Sequence, residues 1–343
     1  MNGGRSAVRP ARVVVAGHDL KFIASIPDHV RAAGAELRED VWENRAGPAP
    51  ERSRELLEWA DTVLCEWCLG NAAWYSHNAR AGQRIVVRFH RMELDTDFPS
   101  EVDLDQVEAM VFVSEHIRDQ AAERFGWDGD RLVVIPNTVD HGRLARPKLP
   151  GSDLNLGVVG FVPRRKRLDR ALDVLERLRA RDPRFRLVVK GRAPWEEQWV
   201  WRRRAERRWF EHVYQRVNRA PLLRGAVVFE PFGPDVPEFL QKVRFILSTS
   251  EHEGHQVGLA EGMGAGAVPV VIDRAGALDQ YPADWVHAST FAAANAIEAL
   301  VRGGDLLAEG RRAVEVSRRW SDEMIMPIWI DTLGLAGVGQ TVS

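Results

Sequence analysis

Short runs of β-branched and aromatic residues alternate with helical patterns along almost the whole sequence. In the first part of the chain the runs predict strands at residues 13–16, 62–64, 85–89, 110–113 and 132–135. The segments between them predict helices at residues 27–33, 53–60 and 115–125, and Ser114 is placed to cap the last one. This alternation predicts a parallel, doubly wound α/β sheet.

The alternation stops at residues 143–151, where a proline- and glycine-containing run can continue neither a strand nor a helix. It then restarts, with strands predicted at residues 154–159, 185–189, 226–229, 245–248 and 268–272. One helix stripe is formed by Leu168, Ala171, Leu172, Leu175 and Leu178. The sequence therefore predicts two domains, residues 1–148 and 149–320, that face a cleft where ligands bind.

The length of 343 residues suits two domains of roughly 150 residues each. Lys and Arg number 47 and Asp and Glu 49, and the formal charge of −2 gives no general attraction to nucleic acid. The N-terminal apolar stretch is shorter than the roughly seven residues of a signal-peptide core. No uncharged run approaches the roughly 20 residues of a membrane span. We therefore expect a cytoplasmic protein with no nucleic-acid partner.

Cys65 and Cys68 are the only cysteines, and two residues separate them. Such a pair at a strand-to-helix junction can be redox-active. A zinc site would need two further ligands, and no His-x-x-x-His pattern lies nearby. We favour two small apolar residues that close a buried strand.

Residues 195–219 interrupt the alternation of predicted strands and helices. They contain four of the twelve tryptophans, and their seven arginines and four glutamates give a net charge of +3. They predict a basic, Trp-rich helical insertion at residues 194–224. A basic amphipathic helix can lie on an anionic membrane surface, at the inner face of the membrane, or bind a charged acceptor. The alternative, which we favour, is a helical pair whose aromatic residues pack onto their own domain.

A cluster of cations follows the first predicted strand of the second domain. Arg164, Arg165, Lys166 and Arg167 stand at the start of the next helix, in a sequence with only five lysines. Four cations there oppose the helix dipole. The arrangement suits a bound anion, because free backbone N–H groups and cations both bind phosphate.

Two glutamates, Glu253 and Glu261, flank the next distinctive segment, the first in a loop after a strand and the second in the following helix. Carboxylates accept strong hydrogen bonds from sugar and ribose hydroxyls. The loop amides between them suit a phosphate, and belong to Gly254, His255, Gln256 and Val257. A nucleotide-diphosphate sugar would satisfy all of these groups.

With these motifs in place, the sequence resembles the retaining glycosyltransferases of the GT-B fold, specifically the large glycogen-synthase-like family 4. The resemblance rests on Pro136-Asn-Thr-Val-Asp140, the turn at residues 163–166, the Glu253-x7-Glu261 pair and Gly266-Ala-Val-Pro-Val-Val271. It implies two Rossmann-like domains. It also implies a C-terminal helix at residues 321–343 that packs back onto the first domain.

The resemblance also implies roles for individual residues. Lys166 and Arg165 would hold the donor diphosphate, Glu261 the ribose hydroxyls, and Glu253 would face the hexose. His90, directly after a strand, matches the family's histidine at the sugar site. The expected catalytic residues are Lys166, Glu253 and His90, and the expected donor-binding residues are Arg164, Arg165, Gly254, His255, Gln256, Val257 and Glu261. Gly17, His18 and Asp19 are expected on the acceptor side.

The sequence departs from the family pattern at several positions. Phe161 stands where the family has its first phosphate-binding arginine, and either Arg164 or Arg165 could replace it. Gly17-His-Asp-Leu replaces paired glycines after the first strand. His255 and Gln256 replace an aromatic residue and a glycine.

The activity implied is the metal-independent, retaining transfer of a hexose from a nucleotide-diphosphate sugar to a hydroxyl acceptor: a glycan, a lipid-linked glycan or a small molecule. No cofactor or metal is expected, because the nucleotide sugar is a co-substrate. One alternative is a metal-dependent GT-A transferase that binds a divalent ion through Asp95 and Asp97. Another is a non-catalytic homologue that binds a nucleotide sugar, which the missing arginine at Phe161 motivates.

Overall fold

The computed structural model describes residues 9–23, 25–45 and 51–336. The strands are β1 (Arg12–Gly17), β2 (Glu36–Val41), β3 (Thr62–Glu66), β4 (Arg84–Phe89), β5 (Val107–Phe112), β6 (Leu132–Val134), β7 (Asn155–Val159), β8 (Arg186–Lys190), β9 (Val227–Glu230), β10 (Phe245–Ser248), β11 (Val268–Ile272) and β12 (Val286–His287). The helices are α1 (Ile26–Ala32), α2 (Glu51–Trp59), α3 (Gly70–Asn78), α4 (Glu115–Phe125), α5 (His141–Leu144), α6 (Leu168–Arg179), α7 (Gln198–Trp201), α8 (Arg204–Arg219), α9 (Val236–Gln241), α10 (Val257–Gly264), α11 (Ala277–Gln280), α12 (Thr290–Gly303), α13 (Leu306–Ser317) and α14 (Asp322–Thr332). Short 3-10 turns lie at Arg91–Asp95, Phe98–Glu101, Leu104–Gln106, Ser152–Leu154, Arg164–Lys166, Ala283–Trp285 and Arg318–Trp320.

The chain divides into two compact units, each with its own sheet. The first contains the described residues up to Thr138 and those from Asp322 onward, and the second is Val139–Ser321. The six strands of each sheet follow the orders β2-β1-β3-β4-β5-β6 and β12-β11-β10-β7-β8-β9. All of these neighbouring strands pair in parallel. The predicted α/β class, with two doubly wound Rossmann-like sheets, is confirmed. The sequence placed the division after residue 148, whereas α5 already lies in the second unit.

The sheet of the first unit is buried on both faces. Side chains alternate along a strand, so Val14 joins one apolar cluster while Val13 and Val15 join the other. Parallel strands covered by helices on both sides have near-continuous apolar sequences, which is why β1 was predictable. On the Val13 face, α14 contributes its buried Met326 and Trp329.

Strand β2 was missed because its sequence, Glu-Leu-Arg-Glu-Asp-Val, is mostly charged. It is the outermost strand of its sheet, where one side is open to solvent. Its one buried residue, Asp40, accepts hydrogen bonds from Trp42 Nε1 at 2.9 Å, Ser53 Oγ at 2.6 Å and Tyr75 Oη at 2.7 Å. A second difference concerns Ser114: it stands at the N-cap of α4 as predicted, but its side chain makes no capping hydrogen bond.

The strand order of the second unit reverses between β7 and β10, because the chain goes from β7 to β8 on one side and later to β10 on the other. Ligands of doubly wound sheets bind beyond the carboxyl ends of the strands at such a point. Helix α10 is seated directly on these strands. A Cβ added at Gly258 would lie 2.7 Å from Val159 Cβ, and one at Gly262 would lie 2.6 Å from Ile246 Cγ1.

The predicted Trp-rich insertion comprises α7 and α8. Phe210, Val213 and Val217 are buried in the core of the second unit, and Trp201 and Trp209 pack against that core. Trp195 and Trp199 differ, because they are 53% and 51% exposed. The aromatic residues of the insertion therefore divide between the core of the second unit and its surface. Within the described residues, no helix combines the length and apolar character that crossing a bilayer requires.

Candidate functional site

Two loops meet at the point where the strand order of the second unit reverses. One follows β7 and contains the turn Arg164–Lys166, and the other follows β10. Glu251 N donates to Arg165 O at 2.9 Å, and Thr249 Oγ1 donates to Lys166 O at 2.9 Å. These bonds fix the position of the cationic turn relative to the acidic loop.

Lys166 and Glu253, which lie 87 residues apart in the sequence, form an ion pair across these loops. Lys166 Nζ lies 2.5 Å from Glu253 Oε1, and Arg165 Nη1 lies 3.9 Å from Glu253 Oε2. Ser250 Oγ donates to the same carboxylate at 2.6 Å. The Glu253 side chain is 8% exposed and that of Lys166 is 17% exposed, so most of this charge is shielded from water.

Burial and neighbouring charges act on both members of the pair. Burial raises the pKa of Glu253, but the cations Lys166 and Arg165, with the hydrogen bonds from Lys166 and Ser250, outweigh burial and lower that pKa below its usual value. Burial lowers the pKa of Lys166, and the positive charges of Arg165 and Arg274 lower it further, while Glu253 opposes the shift. The carboxylate is therefore ionised.

The four consecutive cations at residues 164–167 have three separate sets of acidic partners. Arg164, with 55% of its side chain exposed, points its Nε at Glu206 of α8, 3.4 Å away. Arg167 binds Asp169 at 2.8 Å and Glu251 at 2.6 Å. Lys166 and Arg165 remain beside Glu253, so the structure brings Arg165, and not Arg164, to the ion pair.

Phe161 occupies the position at which the family resemblance predicts an arginine. It is 2% exposed and packs in the core against Phe210 and Phe229, with ring centroids 6.3 and 5.7 Å away. Its side chain therefore faces the core of the second unit.

Helix α10 carries the second predicted glutamate. Glu261 is partly buried, and no described residue forms a hydrogen bond or ion pair with its carboxylate. Burial raises its pKa to about 7, and the charge of Arg143 opposes the rise. A shielded carboxylate without a protein partner is suited to accept hydrogen bonds from a ligand.

The loop ahead of α10 holds the other predicted donor-binding residues. Gln256 is the N-cap residue and Val257 begins the helix, so their amides belong to its electropositive end. Gly254 O accepts from Gln280 Nε2 at 2.9 Å, and the buried His255 ring packs edge-on against Trp320, with centroids 4.7 Å apart. The loop is therefore held from several sides.

Arg274, which follows β11, is a site residue that the sequence analysis missed. Its Nη1 donates to Ser248 Oγ at 2.8 Å, and Ser248 in turn donates to Gln256 Oε1. Its Nη2 is buried without a hydrogen-bond partner among the described residues. The signal that could have revealed Arg274 is a cation two residues after β11, the strand that pairs with β10.

The first unit contains a separate cluster around His90, at the carboxyl end of β4. His90 Nε2 lies 2.8 Å from Glu66 Oε1. Burial raises the pKa of Glu66, but Arg88 and His90 outweigh it and lower the pKa, so Glu66 is the ionised acceptor and His90 Nε2 the donor. Glu66 ends β3, and Arg88 is buried within β4 and donates to Asn137 Oδ1 at 2.6 Å. The sequence pattern indicated His90 but neither Glu66 nor Arg88.

Aromatic rings surround His90 on the same unit. The Trp67 and Phe22 rings lie 4.1 and 5.1 Å from it, centroid to centroid. Trp67 has a φ of 72°, in the left-handed region that is costly for a bulky residue and recurs at functional sites.

The predicted acceptor-side residues border this cluster. The His18 ring lies 5.6 Å from that of Trp67, and Asp19 O accepts from Trp67 Nε1 at 2.7 Å. Gly17 is required here, because an added Cβ would lie 2.7 Å from Glu66 O.

Two further sequence hypotheses can be compared with the structure. Cys65 and Cys68 are free, fully buried thiols whose pKa values burial raises, which agrees with the apolar interpretation. Asp95 pairs with Arg91 Nη1 at 2.6 Å. The described residues contain no group of three or more His, Cys, Asp or Glu side chains placed to hold a metal ion.

Comparisons with known proteins agree with this fold. Residues 153–304 match the family described as Glycosyl transferases group 1. HepE from Anabaena, solved in complex with UDP, has a TM-score of 0.72 and 14% identity, over 94% of this chain and 99% of HepE. Sucrose-phosphate synthase from Thermosynechococcus elongatus has a TM-score of 0.68 and 15% identity, over 94% of this chain and 98% of the synthase. A glycosyltransferase from Rickettsia africae has a TM-score of 0.70 and 10% identity, over 98% and 100% of the two chains. A search of curated protein sequences finds no match.

The fold is therefore GT-B, as the resemblance implied, and the alternative of a GT-A fold is wrong, because each half of the chain forms its own parallel sheet. The match to the group 1 glycosyltransferase family lies within the second unit. The family match points to glycosyl transfer as the class of activity.

Proposed function

We propose that this protein transfers a hexose from a nucleotide-diphosphate sugar to a hydroxyl acceptor, with retention of anomeric configuration and without a divalent metal. The observation that carries the proposal is the cationic group at the strand-order reversal, where Lys166 and Arg165 lie beside the Glu253 carboxylate and Arg274 donates to Ser248. Three cations and one anion leave a shielded excess of positive charge. A diphosphate would balance it.

Each residue then has a chemical task. The acceptor hydroxyl attacks the anomeric carbon on the face from which the diphosphate leaves, the bond from that carbon to the β-phosphate oxygen breaks, and the hydroxyl proton passes to the departing phosphate. Lys166, Arg165, Arg274 and the first amides of α10 stabilise the charge that develops on the diphosphate. Glu261 accepts hydrogen bonds from the ribose, and Glu253 orients Lys166 and faces the hexose.

On the first unit, we assign His90 to the sugar and acceptor chemistry. Glu66 accepts a hydrogen bond from His90 Nε2, and this bond fixes the orientation of the His90 ring. Gly17, His18 and Asp19 border the ring cluster and would contact the acceptor. Uridine is the first base to test, because HepE has been solved with UDP, with UDP and glucose, and with UDP-glucose.

A thermal-shift panel of UDP, GDP, ADP, CDP and their sugars tests the donor assignment. We expect one base to raise the unfolding temperature of the wild type, and Arg165→Met to weaken that nucleotide by about 10-fold through loss of a charge-assisted contact. Arg164→Met is the matched control, because it removes an arginine of the same turn that pairs with Glu206. Equal losses in the two variants would contradict the assignment.

Two further measurements test whether the protein transfers the sugar with retention and without a metal. The anomeric proton of the product, followed by NMR, should report retention, and activity should survive EDTA. Nucleotide binding without transfer or slow donor hydrolysis would instead support the non-catalytic homologue.

A further inference from the structure

The outer surface of the Trp-rich insertion carries exposed arginines and tryptophans that have no role in the proposed donor site. Five arginines there are exposed and form no ion pair with any described carboxylate: Arg202, Arg203, Arg204, Arg208 and Arg219. We call them, together with Trp195 and Trp199, the basic face. The other two arginines of the segment, Arg207 and Arg216, pair with acidic residues.

No ion pair among the described residues joins a glutamate of this segment to an arginine of the basic face, and Glu196 accepts a hydrogen bond from Ala193 N. Glu206 is buried and binds the turn at Arg164, and Glu197 lies 3.5 Å from Arg192 and accepts from Trp199 Nε1. Glu211 lies 3.9 Å from Arg207. The unpaired positive charge is therefore concentrated on the solvent side of α8 and the turn before it.

The helical spacing aligns part of this charge. Arg204, Arg208 and Arg219 fall on one stripe of α8, at intervals of four and eleven residues. The opposite stripe, with Phe210, Val213 and Val217, is buried in the core. The helix is therefore anchored by its apolar side and presents arginines outward.

Two half-exposed tryptophans adjoin the arginines. Arg203 lies over the Trp199 ring, with its guanidinium carbon 5.6 Å from the ring centroid, and Trp195 packs against Trp201 and Tyr214. Arginine stacked on an exposed indole suits the lipid headgroup region, where Trp is enriched and cations meet anionic phosphates. A soluble polyanion would use the arginines but would not require exposed indoles.

We propose that the basic face is a peripheral docking surface for an anionic lipid bilayer. The arginines bind lipid phosphates and the two tryptophans enter the headgroup layer, while α8 remains packed on its unit. The surface would bring the enzyme to a membrane-associated acceptor, although docking itself does not depend on the proposed transfer.

Co-sedimentation with vesicles tests this surface. Vesicles of equal parts phosphatidylcholine and phosphatidylglycerol should bind the wild type at low salt, and phosphatidylcholine vesicles should not. The triple variant Arg203→Gln/Arg204→Gln/Arg208→Gln should lose about 100-fold in partitioning. Trp199→Ala should weaken the vesicle binding that persists at high salt, because insertion of an indole ring depends less on salt than the attraction between charges does.

The matched control is Arg302→Gln/Arg311→Gln/Arg318→Gln, which removes three exposed arginines of the same unit and the same total charge. It should bind anionic vesicles nearly as the wild type does. Equal losses in both triple variants would overturn the proposal, because they would show a net-charge effect only. So would binding to heparin without binding to anionic vesicles, which would indicate a soluble polyanion.

Nucleotide thermal shifts of the same variants separate this proposal from the proposed function. The triple variant of the basic face should keep the nucleotide response of the wild type. Vesicle binding in a protein that responds to no nucleotide would sustain the docking surface and contradict the transferase.

Discussion

At the scale of single residues, the site depends on opposite charges that are buried together. Glu253 is the carboxylate that holds Lys166 and Arg165 in place, and all three lie in loops whose backbones bond to each other. Isolated buried charges are costly, whereas paired ones are tolerated. The pair therefore keeps two cations in position for a ligand.

The coupling of Lys166 and Glu253 can be measured by a double-mutant cycle. Lys166→Met leaves the carboxylate without its nearest cation and should cost about 3 kcal/mol of unfolding free energy at pH 7. Lys166→Met/Glu253→Gln should recover most of that loss, measured by urea unfolding. Additive losses in the double variant would contradict the ion pair.

The same carboxylate predicts a pH dependence. Because the pKa of Glu253 is lower in the folded state than its usual value of 4.5, its stabilising contribution is present above about pH 4.5 and is lost as the pH falls through the folded-state pKa. Glu253→Gln should therefore be less stable than the wild type at pH 7, and the difference should shrink in acid. A constant difference between the two proteins across this range would count against the assignment.

Glu261 predicts the opposite behaviour. Its pKa is about 7 when folded and 4.5 for the usual carboxyl, so its contribution to stability is full below about pH 4.5 and is lost as the pH rises through 7. Glu261→Gln should stabilise the protein at pH 8 by about 2 kcal/mol and have little effect at pH 4.5, followed by thermal unfolding. The same variant should bind nucleotide about 10-fold more weakly, because it loses a charge-assisted acceptor. Unchanged nucleotide binding would remove Glu261 from the ribose site.

At the scale of elements, the site depends on how closely α10 approaches β7 and β10. Gly258 and Gly262, one turn apart, let the helix backbone lie against Val159 and Ile246. This close packing fixes both the loop amides at the start of α10 and the carboxylate of Glu261. The two glycines are therefore required by the packing of α10 on the sheet.

Gly258→Ala tests this packing. The new Cβ would meet the Cβ of Val159, which cannot rotate away, so α10 must shift. We expect a loss of about 1–3 kcal/mol in stability together with weaker nucleotide binding. Gly303→Ala in α12 is the control, because its Cβ would enter open space. Normal nucleotide affinity in Gly258→Ala would show that α10 does not set the site.

At the scale of the whole molecule, the chain builds its two units in an interleaved order. The segment from Asp322 onward belongs to the first unit, although it follows the second in sequence. Ile325, Met326 and Trp329 fill the face of the first sheet that contains Val13 and Val15. The first unit is therefore completed only after the residues that follow Asp322 have been made.

Trp329→Ala should lower the stability of the first unit and leave that of the second unit unchanged. A buried tryptophan replaced by alanine costs about 3–5 kcal/mol, which should appear as faster hydrogen exchange in β1 and β3 of the first unit. Nucleotide binding should persist, because Lys166, Glu253 and Glu261 lie in the second unit. Parallel loss of exchange protection around β7 and β10 would contradict this separation.

The sequence by itself determined the α/β class and most strand positions, and it singled out Lys166, Glu253 and Glu261 as candidate site residues. These features could be predicted because apolar periodicity and distinctive charged residues are visible within a short stretch of sequence. The sequence did not predict β2, because an edge strand can be rich in charged residues. Nor could it show which acidic partner each of the four cations at residues 164–167 would have. Only the tertiary structure assigned Arg164 to Glu206 and Arg165 to Glu253, and only it revealed Arg274, Glu66 and Arg88. These are pairings between residues far apart in sequence, and the free energy of a buried charge depends on which partner the fold brings within reach.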